Sequence, residues 1–149
     1  MEKLVITKDY QGIVDDGYRY KLNGNLISAT SIDIQLDKGL YVQGFIEADG
    51  SINAGGYIDA GGYIEAGWSI NAGGYIEAGW SINADGSIAA GEGILAQLAI
   101  TCKSTLKAKF GIYAGVCTWK EPSADEQTIT CGKLDGTVKY GTLKLIEVA

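Results

Sequence analysis

An aliphatic residue stands at every sixth position of this chain, fourteen times in succession, from Ile34 and Leu40 through Ile64, Ile70 and Ile76 to Leu106 and Ile112. Two residues after each comes a second apolar residue, usually small: Leu36, Val42, then Ala from Ala48 to Ala96, then Cys102, Ala108 and Ala114. A helix repeats every 3.6 residues and cannot keep a period of six on one face. Side chains at i and i+2 share one face of a strand. Each hexad, Ile-x-Ala-x-x-x, therefore reads as a short strand followed by a corner. The residue between Ile and Ala is Glu, Asp or Asn through most of the array and points to solvent. The Gly-Gly, Gly-Trp or Asp-Gly that follows permits a sharp turn.

One such strand cannot bury its isoleucine alone, so the coils must stack around a shared Ile/Ala interior. The expected fold is all-β, a parallel β-helix. Either two hexads make a flattened 12-residue coil or three make a triangular 18-residue one. The internal match is better at twelve, because YIEAGWSINAGG at 63–74 returns as YIEAGWSINADG at 75–86. Duplication explains that match without fixing the coil, and an Ile/Ala interior fills a triangular prism better. Three hexads per coil are therefore expected, in nearly five coils about 22 Å long at ~4.8 Å per coil.

Residues 1–33 carry short apolar stretches separated by Asp15-Asp16-Gly17 and Asn23-Gly24-Asn25, which predict hairpins. Residues 119–149 alternate similarly. Both are expected as β-rich caps on a helix over 34–118, the whole forming one domain of 149 residues. The start has no apolar signal core, and no stretch is long and apolar enough to span a membrane; cytoplasmic residence is the expectation. Cys102, Cys117 and Cys131 form no paired motif and read as reduced thiols.

The net charge of −6 lies in the middle of the rod. From Gly39 to Cys102 there is no Lys or Arg, while Glu47, Asp49, Asp59, Glu65, Glu77, Asp85 and Glu92 all fall there. In an 18-residue coil Glu47 stacks beneath Glu65, and Asp59 beneath Glu77. Stacked like charges are unfavourable, so keeping them without an interleaved lysine points to a field that has a use. Solubility is the plainer explanation. Tyr57, Tyr63 and Tyr75 precede inward isoleucines and face outward, and Trp68 and Trp80 stand at corners. Exposed Tyr and Trp serve as binding hot spots or, more simply, as a ladder that stabilises stacked coils.

Histidine is absent, which removes Ser-His and Cys-His nucleophile pairs, imidazole bases and imidazole metal ligands together. No phosphate loop, zinc motif or calcium-roll Asp column is present. No catalytic residue, metal site or cofactor is expected. The array is similar in period to the left-handed hexapeptide-repeat acyltransferases. Their small residue precedes the aliphatic one and their catalysis uses a histidine base, so acyl transfer is not expected. Gly44-Phe45-Ile46-Glu47-Ala48, Gly56-Tyr57-Ile58-Asp59-Ala60 and Gly62-Tyr63-Ile64-Glu65-Ala66 resemble the Gly-x-Ile-x-Ala repeats of the bactofilins, polymer-forming bacterial cytoskeletal β-helices. That resemblance covers residues 34–114 and implies self-assembly by end-to-end stacking. The long ends depart from the short tails of that family.

Two functions follow as expectations. In the first, the chain is a non-catalytic binding or inhibitor protein. Glu47, Asp59, Glu65 and Glu77, with Tyr63, Tyr75, Trp68 and Trp80, dock a basic protein such as a nucleic-acid-binding enzyme. The field would mimic a nucleic acid, and by analogy this suits a phage or mobile-element inhibitor of a host defence enzyme. Direct binding of nucleic acid is not expected, since a negative surface repels phosphate. In the second, the chain is a bactofilin-like structural homo-oligomer.

Overall fold

A computed structural model describes residues 2–147. It is a parallel β-solenoid with three faces, and its only helical element among these residues is one 3₁₀ turn, Asp125–Gln127. The coil repeat is 18 residues: Ile46 pairs in register with Ile64, Ile64 with Ile82, and Ile82 with Ile100. Face 1 stacks Leu4–Ile6, Ile32–Ile34, Ile52–Ala54, Ile70–Ala72 and Ile88–Ala90. Face 2 stacks Tyr20–Leu22, Leu40–Val42, Ile58–Ala60, Ile76–Ala78 and Ile94–Ala96. The long strand Thr105–Ala114 bends across both and pairs with Ile88–Ala90 on one and Ile94–Ala96 on the other. Face 3 runs from Leu26–Ser28 through Ile46–Ala48, Ile64–Ala66, Ile82–Ala84, Ile100–Cys102 and Thr128–Cys131 to Thr142–Leu145.

Hexad residues meet inside as the period requires. Ile46, Ile52, Ile58, Ile64, Ile70 and Ile76 are all wholly buried, and among the described residues no polar or charged one is buried with them. The small partner position closes the prism, with Ala66, Ala78 and Ala96 at 2% exposure or less. Removing one isoleucine side chain from such a core costs about 2–5 kcal/mol.

The stack is longer than expected, seven strands deep on face 3. Both ends contribute coils where the sequence predicts caps. Tyr20–Leu22 and Leu26–Ser28 already pair in parallel with the next coil. Among the described residues one hairpin is present, Ile13–Asp15 antiparallel to Tyr20–Leu22, and it closes the starting edge of face 2. At the other end Lys133–Tyr140 lies parallel on Thr105–Ala114, and Thr142–Leu145 on Thr128–Cys131. Their degenerate sequence hides the hexad, but backbone pairing does not need it.

The phase of the first hexad is also corrected. Ile32, not Ile34, takes the large inward position opposite Ile52, and Ile34 takes the small one opposite Ala54. Two extra residues before Leu40 absorb the shift and leave Leu36 only partly buried. The glycine corners have a different cause from the expected dihedral freedom. Gly67 and Gly79 do not have positive φ. Instead, a Cβ at Gly67 would run into the carbonyl oxygen of Asp49 one coil below, so glycine is there because coils approach closely.

Candidate protein-binding surface

The eight residues singled out in the sequence fall on faces 2 and 3 and on the edges that bound them; face 1 carries none. Its outward column is near neutral instead, with Asn71 donating from Nδ2 to Asn53 Oδ1 at 3.0 Å. On the edge leading into face 1, Ser51, Ser69 and Ser87 accept backbone N–H groups from the coil above at 3.1–3.3 Å. That side of the prism is stapled to itself.

On face 3, Glu47 and Glu65 are directly opposed in register. No Lys or Arg among the described residues is within ion-pair reach of either. With Asp49, Asn83 and Asp85 they line a shallow depression of about 210 Å³. Asp85 has Lys103 at 3.6 Å, so the acidity is relieved only at that end. The Tyr63 hydroxyl donates to Glu47 Oε1 at 3.3 Å. Partial burial, then the Glu47 charge, pushes the Tyr63 phenol up from its ordinary value.

On face 2 the outward column reads Lys21, Tyr41, Asp59, Glu77, Leu95, Tyr113. Asp59 is the most perturbed acid: burial first, then Glu77 beside it, push its carboxyl to about 6 against the opposing pull of Arg19. Arg19 reaches this face from the hairpin turn, where the Asp16 side chain accepts the Tyr18 and Arg19 N–H groups and holds the loop. Its guanidinium lies 4.2 Å over the Tyr41 ring, with Nη1 4.0 Å from Asp59 Oδ2. Neither Arg19 nor Tyr41 was expected here. The hexad marks Tyr41 as outward, but nothing local links Arg19 to it.

The aromatics stack between coils, as the ladder reading expects. Tyr57 stacks on Tyr75 at 4.5 Å along the edge between faces 1 and 2, and Phe45 on Tyr63 at 4.6 Å along the edge between faces 2 and 3. Trp80 lies on that second edge, where Trp119 stacks on it at 5.6 Å and donates from Nε1 to the Gly79 carbonyl at 3.1 Å. Trp80 and Trp119 remain about half exposed. Phe45 was legible as the residue one coil below Tyr63. Trp119 was not, since it sits in a non-repeating loop. Trp68 stands alone on the third edge and is 70% exposed. The eight residues thus spread over faces 2 and 3 and all three edges rather than over one face.

Cys102 and Cys131 are buried free thiols, Cys102 held at about 12 mainly by burial. Among the described residues no cluster of His, Cys, Asp or Glu is arranged to hold a metal, and no helix is long and apolar enough to cross a membrane. No protein-family model matches the chain, and no curated protein or solved structure matches it either.

Proposed function

We propose that this chain is a non-catalytic binding protein that docks a basic protein on faces 2 and 3. The observation that carries it is the in-register pair Glu47 and Glu65, left without a cation beside an edge that holds the partly buried Phe45–Tyr63 stack and the exposed Trp80 and Trp119. Opposed like charges weaken the solenoid, and a partner's Lys or Arg would relieve that cost. The rim of charge steers association and the tryptophans supply apolar contact. A nucleic-acid-binding enzyme, whose own groove is basic, is the partner class that such a field fits, and blocking that groove would make this protein its inhibitor. The test is a pull-down from cells of the native source with the parent and with Glu47→Gln, Asp59→Asn, Glu65→Gln and Glu77→Gln combined. Basic partners lost with the fourfold variant support the reading; the same partners at the same yield end it.

One observation favours a second reading, bactofilin-like self-assembly. The last described coil leaves Leu143 and Leu145 at 37% and 59% exposure, so its inward side is uncovered by any described residue. Mass measured in solution over a range of concentrations decides between a monomer and end-to-end oligomers.

A further inference from the structure

The stacked column on the edge between faces 1 and 2 stops short. Its positions, 18 residues apart, are Gly39, Tyr57, Tyr75, Gly93 and Gly111. Each ring leans toward the coil before it. A Cβ at Gly39 would run into the Tyr57 ring, and Tyr75 covers Tyr57 at 4.5 Å. Above Tyr75 nothing takes the next place. A Cβ at Gly93 would meet within 4 Å only the Gly111 carbonyl, at 3.1 Å. The result is an open slot of about 220 Å³, floored by Gly93 and Gly111 and walled by Tyr75, Leu95 and Tyr113, with Glu77 on its border. The slot is flat, apolar on its walls and acidic on one side. The stem of Lys139 borders its upper end at Gly111, and the Lys139 ammonium is not paired with Glu77.

The same face shows what chemistry fits such a place. One coil below, the chain's own Arg19 lays its guanidinium 4.2 Å over the Tyr41 ring and directs Nη1 toward Asp59 at 4.0 Å. Glu77 is the next acid in that column and has no such partner among the described residues. We propose that the slot binds the guanidinium of an arginine on the basic partner, its plane stacked on Tyr75 above Gly93 and its N–H groups donated to the Glu77 carboxylate. A guanidinium is planar and always charged, so it gains from a ring face and a carboxylate at once; an ammonium has no plane to stack. The inference rests on the partner reading above and adds to it a face, a residue type and a binding mode.

The test uses fluorescein-labelled hexa-arginine and hexa-lysine peptides, titrated by fluorescence anisotropy against the full chain and three variants. Glu77→Gln removes the acceptor, Tyr75→Leu keeps an apolar side chain without the stacking ring, and Glu65→Gln removes one charge from face 3 instead. The parent should bind hexa-arginine about five-fold more tightly than hexa-lysine. Glu77→Gln and Tyr75→Leu should each erase that preference, while Glu65→Gln keeps it. Glu77→Gln changes a partly buried, outward-facing position and should melt at or slightly above the parent, since it relieves Asp59, so it carries the test even if Tyr75→Leu folds poorly. Equal binding of the two peptides, equal weakening by Glu65→Gln and Glu77→Gln, or no binding of either peptide overturns the slot. None of these results touches the pull-down, which judges the acidic side as a whole.

Discussion

Asp59 shows how one residue position sets a pH response. Its folded carboxyl titrates near 6, against 3.8 for an ordinary aspartate, because burial and Glu77 outweigh Arg19. The folded state therefore holds this proton more tightly than the unfolded state. The cost of ionising it is absent below pH 3.8, grows between 3.8 and 6 and is complete above 6. Asp59→Asn should accordingly stabilise the protein by about 1 kcal/mol at pH 7.5, allowing for partial exposure, and by almost nothing at pH 3.5. Urea unfolding at the two pH values measures this, and an equal effect at both would remove burial as the cause. The alternation inside a single strand gives a second contrast. Ile64 and Ala66 are buried while Glu65 between them is exposed. Ile64→Asp should abolish cooperative folding or cost more than 4 kcal/mol, and Ala66→Leu about 1–3 kcal/mol by overpacking. Glu65→Gln should leave the melting temperature unchanged or raise it by relieving Glu47. Cys102 occupies the alanine position of its hexad, opposite Ala84, so Cys102→Ala should cost about 1 kcal/mol or less and spare any binding activity.

At the scale of the element, the unit is a three-residue strand and its corner, and the corner is the more demanding part. A Cβ at Gly79 would strike the carbonyl oxygen of Gly61, whereas one at Gly55, in the same place of an earlier hexad, meets nothing within 4 Å. Gly79→Ala should therefore destabilise by about 1–3 kcal/mol. Gly55→Ala should be neutral or stabilise by up to about 1 kcal/mol through the unfolded chain. Thermal melts of the two variants, side by side, separate crowding from dihedral preference: equal losses would restore the dihedral account. The strands were legible in the sequence because Ile and Ala at i and i+2 state their own burial. The corners were legible as glycine but not for their reason, since the crowding atom belongs to a residue 18 positions away.

At the scale of the whole molecule, the fourfold acid-to-amide variant removes charge from two faces at once, Glu47 and Glu65 on one, Asp59 and Glu77 on the other. Association with a basic partner should slow and lose its salt dependence, because steering acts over a Debye length of about 8 Å at physiological ionic strength. Trp80→Ala should instead mainly speed dissociation, by about 2 kcal/mol if that edge is the anchor. Stopped-flow mixing at low and high salt resolves the two effects, and a salt slope unchanged by the fourfold variant would leave the acids with solubility alone.

The sequence by itself determined the period, the inward and outward sides of every strand from Leu40 to Ile112, and the concentration of acid in the middle. These follow from side-chain alternation, which is local. It did not determine how many coils there are or which side chains share an edge. The near-identical segments at 63–74 and 75–86 put Trp68 and Trp80 in the same local setting, Gly-Trp-Ser-Ile-Asn-Ala. Yet twelve residues is not a whole 18-residue coil, so the two tryptophans come out on different edges, and only Trp80 finds Trp119. Arg19 likewise meets Tyr41 and Asp59 only because a hairpin lays it across face 2. Coil size and such juxtapositions depend on hydrogen bonds between residues 18 or more apart, and closing the three-sided core is what selects them.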